Sequence, residues 1–289
     1  MGLADLVKKE PAPPKPGKEL TEALTRIGSS KKVDPISAEQ IKAKKNIFRA
    51  SGVADLCARE EVLASVMNEV RDDTVTDVER TIFDTGTAIH DMVRGYLGNL
   101  GLLVGTWKCV ICQQQYGELH KDRVAQPVKC QACKGSQFLY VEEHAEDKEY
   151  LIGGHCDGFL VLNGVKEPNA ILEVKSIGAT GMVKVVVEPY QKHIIQGQIY
   201  MWLFGFDRVK ILYVAKDWVA VRMALPGIKS PFLEHDVMRD EVTIEAVKKK
   251  LKSVMDGITN QAVPARIMCA SPNDWRAKEC PMRGPCFAP

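Results

Sequence analysis

The stretch NAILEVKS, residues 169–176, decides how this chain is read. It has the marks of a β-strand: a short apolar run with the branched residues Ile171 and Val174, closed by polar ones. Yet it carries Glu173 and Lys175. Side chains alternate along a strand, so these two charges share one face while Leu172 and Val174 share the other. Burying a lone carboxylate or ammonium costs several kcal/mol unless it is paired or bound to a metal. An ion pair at a strand end, or on a solvated face, is the plain reading. The preceding run GGHCDGFLVL, 153–162, offers another. Asp157 stands just before an apolar segment, and the hairpin signal Asn163-Gly164 would fold it back beside Glu173. Two carboxylates on adjacent strands are oxygen ligands for a hard divalent ion such as Mg²⁺. A lysine two residues on can orient or deprotonate a metal-bound water.

Outward from this strand the pattern alternates between strands and helices. The chain has 289 residues, 45% of them hydrophobic, and a formal net charge of +2, so composition fits a globular protein and says little about partners. No apolar run approaches the roughly 20 residues that span a bilayer. The N-terminus has no signal-peptide core and no Ser or Thr at the myristoylation position, so neither export nor a lipid anchor is expected. Residues 1–45 are rich in Pro and Lys and read as a flexible basic arm. A helical pattern starts in FRASGVADLCAREEVLASVMNEV, 48–70. A second helix covers GTAIHDMVRGYLGNL, 86–100, with Ile89, Val93, Tyr96, Leu97 and Leu100 in one stripe. Helices are also expected over 188–206 and 240–258, and strands over RVKILYVAK, 208–216, and WVAVRMALP, 218–226. The expected class is α/β with a central mixed sheet flanked by helices.

The residues also carry a resemblance. Asp157 followed by Glu173-Val174-Lys175 resembles the signature of the PD-(D/E)XK nuclease superfamily, in the branch of the RecB nuclease domain, lambda exonuclease and the CRISPR-associated iron–sulphur nucleases. TGTAIHDMV, 85–93, resembles that family's helix with a metal-binding histidine, here His90. QGQIY, 196–200, matches its Q-x-x-x-Y motif, with Gln196 and Tyr200. The order His, Asp, ExK, QxxxY is the family's order. The resemblance implies a restriction-endonuclease-like core over 46–289. It implies one or two Mg²⁺ or Mn²⁺ ions held by His90, Asp157, Glu173 and the Val174 carbonyl. Lys175 would be the catalytic base or charge stabiliser, and Gln196 and Tyr200 would position it and the DNA strand. His193, three residues before Gln196, is assigned at most a phosphate contact.

The nine cysteines fall into two groups and one remainder. Without an export signal they are expected reduced, and clusters read as metal sites. Cys109-x2-Cys112 and Cys130-x2-Cys133, with 17 residues between the pairs, have the spacing of a four-cysteine zinc ribbon. It interrupts the nuclease motifs, so 106–142 reads as an inserted module. Its basic residues Lys108, Lys121, Arg123, Lys129 and Lys134 are either a solvated surface or phosphate contacts. In the iron–sulphur branch one cysteine precedes the core and three follow it. On that resemblance Cys57, Cys269, Cys280 and Cys286 would hold a 4Fe-4S cluster, with 265–289 as a cysteine-rich clasp. Here ten residues separate Cys269 from Cys280 where the family commonly has two, which keeps zinc open at this site. Cys156, next to Asp157 on the opposite face, is expected to be a buried thiol.

The functional expectation is a divalent-metal-dependent deoxyribonuclease, an exonuclease acting on single-stranded DNA or DNA ends in replication, recombination or repair. A cytoplasmic setting in a bacterium, or a bacteriophage protein in its host, suits such an enzyme, as does a helicase or recombination partner. No phosphate-binding loop of the Gly-x4-Gly-Lys-Ser/Thr type is present, so no ATP motor is expected in this chain. Two alternatives stay open: a structure-selective endonuclease or adaptation-type nuclease in a complex, and a catalytically silent zinc-ribbon nucleic-acid-binding protein.

Overall fold

A computed structural model describes residues 27–288. The first 26 residues of the expected arm lie outside them. The remainder of that arm is structured. Strand β1 (Ser29–Val33) pairs antiparallel with β3 (Arg71–Val75), through facing pairs such as Lys32 with Asp72. Helix α1 (Ala38–Lys42) follows, closed by a capping box between Ser37 and Gln40. Composition pointed to an arm, but the acidic partner strand and the cap are local signals that override it.

The body has three layers. The main sheet runs β13 (Phe232–Met238), β12 (Arg208–Ala215), β11 (Ala170–Ile177), β10 (Gly158–Leu160), β4 (Leu103–Cys109). Only β11 and β12 pair in parallel, so the sheet is mixed. A smaller sheet joins β2 (Phe48–Arg49), β9 (Ile152–His155) and β8 (His144–Asp147). On one face Phe159, Ile171, Val209 and Ile211 pack on helices α5 (Gln191–Phe204) and α7 (Glu241–Thr259), through Ile199, Met201, Val247, Leu251 and Val254. On the other, Leu160, Leu172 and Val174 pack on Val93 and the flanking Ile89 and Leu97 of α3 (Asp77–Asn99). Each such aliphatic side chain contributes about 1.5–3 kcal/mol by leaving water. Helix α3 starts where it does because Thr76 and Glu79 form a capping box, and it ends at Gly101, whose φ of +69° suits a residue without a Cβ.

Several local expectations are revised. Residues 218–224 form helix α6 (Trp218–Ala224), not a strand. Asp217 caps it by accepting from the Ala220 amide at 2.9 Å, and the buried position is Val221, with Val219 and Met223 exposed. Helix α2 spans only Ala58–Val66 of the long helical pattern, because 48–49 are taken up by β2. Asn163 and Gly164 do turn the chain with positive φ, but inside a longer connection from Leu160 to Ala170. The cysteine ribbon is an insertion continuous with the core sheet. Strand β4 pairs with β10 at residues 103 and 104 and then runs on to pair with β7 (Phe138–Val141) at 106–109, so the ribbon grows out of a core strand. Two short strands, β5 (Gln115–Tyr116) and β6 (Val124–Ala125), complete it. Helix α4 (Ala179–Val185) links β11 to α5, and α8 (Trp275–Glu279) and α9 (Arg283–Phe287) close the chain against α2, where Leu63, Ala64, Met282 and Cys286 pack together. No helix among the described residues is long and apolar enough to cross a membrane.

Candidate active site

The register of β10 on β11 sets Gly158 opposite Leu172, so Asp157 falls opposite Glu173 one step further along. Both are almost fully buried. Asp157 is heavily bonded. Its Oδ2 accepts from the Val174 amide at 2.7 Å, and its Oδ1 meets His90 Nδ1 at 2.9 Å and Arg94 Nη2 at 2.8 Å. Arg94 Nε also donates to the Asp157 carbonyl at 3.0 Å. Burial acts to raise the Asp157 carboxyl, but His90 and Arg94 outweigh it and hold the group below the usual carboxylate range. Burial likewise opposes protonation of His90, and the Asp157 carboxylate reverses this, leaving the imidazole above its ordinary value.

Glu173 is treated oppositely. Burial pushes its carboxyl up to about 7; the Lys175 ammonium pulls it down and the charge of Asp157 adds to the rise. Lys175 Nζ meets Glu173 Oε1 at 2.5 Å and donates to Gln196 Oε1 at 2.9 Å. Gln196 Nε2 donates in turn to the Tyr200 hydroxyl at 3.0 Å. Gln196 and Tyr200 are one turn apart on α5 and so share its inward face. All six side chains expected at the site, His90, Asp157, Glu173, Lys175, Gln196 and Tyr200, line one cleft of about 580 Å³.

The donor set suits a divalent ion: two carboxylates and an imidazole, with one carboxylate whose ionisation lacks full compensation. The set is open rather than caged. Among the described residues, the only group of three or more Cys, His, Asp or Glu ligand atoms within 4.8 Å of one another is Cys109, Cys112, Cys130 and Cys133. Arg94 and Lys175 each sit on one of the two carboxylates, offsetting the charge a cation would offset.

Sequence reasoning passed over several residues in and behind the cleft. Arg94, buried behind Asp157, stands four after His90 on α3 and on the same face, a spacing that was available to find it. Arg49, Glu142, His144 and His155 line the cleft. His144 and His155 are register partners on β8 and β9 with rings 4.7 Å apart, and no motif marks them. His193 does not face the cleft as a phosphate ligand. It is buried, its Nδ1 2.7 Å from the Tyr213 hydroxyl, and burial lowers its pKa to about 3.

The first cysteine quartet has the geometry of a site for one tetrahedral ion. Cys109 and Cys133 Sγ lie 3.5 Å apart, Cys112 and Cys130 Sγ 3.4 Å. Metal–sulphur bonds of about 2.3 Å in a tetrahedron set ligands about 3.8 Å apart. The Tyr116 hydroxyl donates to Cys130 Sγ at 3.3 Å and lowers that thiol to about 6, favouring the thiolate a metal needs. Of the ribbon's basic residues, Arg123 is not a surface group: it pairs with the fully buried Glu143 at 2.8 and 2.9 Å.

The other four cysteines, Cys57, Cys269, Cys280 and Cys286, all line a second cavity of about 430 Å³ between α2, α7 and the C-terminal segment. Arg59 ties this region together, donating to Cys286 Sγ at 3.2 Å and to the Pro264 carbonyl at 2.7 Å. Cys156 is a buried thiol, pushed well above its ordinary pKa by burial.

No family model and no curated protein matches this sequence. Among solved structures the chain is similar to an alkaline exonuclease from Laribacter hongkongensis, at 12% identity over 78% of this chain and 94% of that one, TM-score 0.40. The same enzyme in complex with dAMP gives 13% identity over the same shares, TM-score 0.42. A phage-related exonuclease from Haemophilus somnus 129PT gives 18% identity over 42% of this chain and 62% of that one, TM-score 0.32.

Proposed function

We propose that this chain is a divalent-metal-dependent nuclease of the PD-(D/E)XK type that hydrolyses DNA from its ends. One observation carries the reading: six residues drawn from three elements and the β9–β10 junction meet in one cleft, with the ExK lysine held between its own glutamate and the glutamine of QxxxY. Structural ion pairs do not need an open cleft or a buried carboxylate pushed up to about 7.

A Mg²⁺ or Mn²⁺ ion held by His90, Asp157 and Glu173, with the Val174 carbonyl, would neutralise phosphate charge and acidify a bound water. The chain's own residues do the remainder. Lys175 holds a proton at Nζ beside Glu173, where it can steer the attacking water or stabilise charge on the phosphate. Gln196 fixes the direction of that ammonium, and Tyr200 fixes Gln196. Arg94 and His90 hold Asp157 in one orientation, so the carboxylate need not reorganise during reaction.

The first cysteine quartet holds zinc in this reading, since four thiolates around a single ion make a closed structural site. The distal four hold a larger group. They share one cavity, yet they are not gathered as closely as ligands of a single ion, which favours a 4Fe-4S cluster over zinc. Single-stranded DNA is the favoured substrate form, and a helicase or recombination protein the natural supplier of DNA ends.

The test is end-labelled linear and covalently closed circular DNA, each single- and double-stranded, with Mg²⁺, Mn²⁺ or excess EDTA. Mononucleotide release from linear DNA alone, lost in EDTA and reduced about a hundredfold or more in Lys175→Ala, is the expected result. Cleavage of closed circles would replace the exonuclease reading with an endonuclease one. Turnover in EDTA, or full activity of Lys175→Ala, would remove the metal-site reading. Iron and zinc analysis with an absorption spectrum of anaerobically purified protein checks both cysteine sites.

A further inference from the structure

The segment that leaves the ribbon is bonded to the active site at two successive residues. Strand β7 ends at Val141, and Glu142 and Glu143 follow. The Glu142 carboxylate accepts from Arg94 Nη2, the same nitrogen that donates to Asp157 Oδ1. The Glu143 carbonyl accepts from the amide of Cys156, the neighbour of Asp157, at 3.3 Å. Its carboxylate is gripped by Arg123, a ribbon residue, whose guanidinium lies 3.8 Å from the centre of the core ring Phe159.

Arg94 is about 5% exposed, which is rare for an arginine without a fixed task. Four acceptors hold its fork: the Asp157 carbonyl, Asp157 Oδ1, Asp91 at 3.2 Å and Glu142. Its guanidinium carbon lies 5.9 Å from the ring centre of Tyr140 on β7. Of these partners, Tyr140 lies on the ribbon's exit strand and Glu142 follows directly after it.

The position of that strand depends on the cysteine quartet. β7 pairs with β4 from Thr106–Val141 to Cys109–Phe138, so one end of the ladder is a metal-ligand residue. Tyr116, which bonds Cys130, packs edge-on against Phe138 at 5.7 Å. An ion drawing Cys109 and Cys130 together therefore fixes β4 against β7, and through β7 fixes where Glu142 stands.

We propose that the zinc ribbon positions the active-site carboxylate Asp157 through Glu142 and Arg94, so that zinc occupancy sets how tightly the active site binds its divalent ion. Glu142 and Arg94 are positioning residues. The inference rests on the metal-dependent nuclease reading above for its consequence, and on hydrogen bonds alone for the relay.

The experiment is a double-mutant cycle on the full chain, read by Mn²⁺ binding in electron paramagnetic resonance. The four proteins are the parent, Glu142→Gln, Cys112→Ser and the double variant. Glu142 is part-exposed and Cys112 exposed, so neither substitution disturbs the core. Each single variant is expected to weaken Mn²⁺ binding about tenfold, the lower end of what outer-shell partners of metal ligands contribute. The double variant should be no weaker than the worse single one, because both act along one route. Glu142→Gln should keep its zinc. Parent-like Mn²⁺ affinity in Glu142→Gln overturns the proposal, as does full additivity. An arm without Mn²⁺ separates this from failure of the nuclease reading: the Nε–H resonance of Arg94 is followed by ¹⁵N NMR while zinc is removed. It should shift in the parent and stay still in Glu142→Gln, even if Mn²⁺ binds nowhere. No shift in the parent overturns the relay whatever the enzyme's activity.

Discussion

Replacing Glu173 by Gln should make the metal-free protein more stable while abolishing its activity. Glu173 is 2% exposed and its carboxyl is pushed from an ordinary 4.5 up to about 7, chiefly by burial and, against the pull of Lys175, by the charge of Asp157. A raised acid pKa means the folded state holds a proton that the unfolded state has released. Between pH 4.5 and 7 the native chain thus binds more protons than the unfolded one, and stability falls as pH rises through that window. Each unit is about 1.4 kcal/mol, so above pH 7 the ionised carboxylate lowers stability by about 3 kcal/mol. Gln removes that term at nearly constant volume. The pull of Lys175 is already contained in that net shift. Lys175 is about 22% exposed on its side chain and keeps Gln196 as an acceptor, so its ammonium is not stranded. The gain is therefore about 3 kcal/mol, or a melting temperature roughly 5–10 °C higher in a chain of this size. Thermal unfolding in EDTA at pH 5.0, 6.5 and 8.0 gives the answer. The advantage of the variant should be smallest at pH 5.0 and fully present at 8.0. A variant less stable than its parent at pH 8.0, or an advantage that does not grow with pH, would refute the account of Glu173 as the strained carboxylate.

Three further outcomes are expected. Arg123→Met leaves the fully buried Glu143 without its guanidinium and should cost about 3–5 kcal/mol in urea unfolding; a loss under 1 kcal/mol would mean that His120 alone, 3.3 Å from Glu143, satisfies it. Cys130→Ser should release the ribbon metal while leaving any iron in place, as measured by elemental analysis of the purified variant; iron and zinc falling together would show that the cysteines are partitioned wrongly. On the cluster reading, Cys286→Ser should give a colourless protein with a clearly lower melting temperature, because a cluster held by the distal cysteines would join the start of α2 to a C-terminal segment over 200 residues away, and cross-links over loops of that length contribute about 5 kcal/mol in the chain-entropy view. Nuclease rate per folded molecule should survive that substitution, and a selective loss of rate would make the site functional rather than structural.

How much was legible in the sequence depended on how local the deciding physics is. β11 was found as a short apolar run with branched residues, and α3, α5 and α7 because each repeats one period over two turns or more. The ribbon was found because tetrahedral thiolate spacing is a local constraint. α6 was misread as a strand because WVAVRM alternates like one; the Asp217 cap that settles it is a single side chain. The convergence of the site was readable only through motif order. Asp157 and Glu173 are neighbours because Gly158 pairs with Leu172, and nothing inside either strand fixes that register. Arg94, Glu142 and the pair His144–His155 were missed for the same reason. Each is an ordinary polar residue in its own segment and acquires a role only from a partner far along the chain.

The two carboxylates at the centre of the cleft show why such partners matter. Asp157, just before β10, stands opposite Glu173 on β11, and both are almost fully buried, so desolvation alone would raise both. Asp157 is given three donors besides His90, counting Arg94 at its own carbonyl, and stays ionised; Glu173 is given one lysine and is pushed up to about 7. Titratable neighbours held this far apart take different parts. Asp157 is a fixed anion whose position is set by Arg94 and, through Glu142, by the ribbon. Glu173 is the member whose charge is still unsettled near neutral pH. Ligation requires the ionised form, so a divalent ion held by Glu173 would displace a proton from it below pH 7 and none well above it. A cation that took Glu173 as a ligand would leave Lys175 its bond to Gln196. The helix bearing Gln196 and Tyr200 thus gives the lysine on the Glu173 face of the strand a second anchor, independent of the carboxylate.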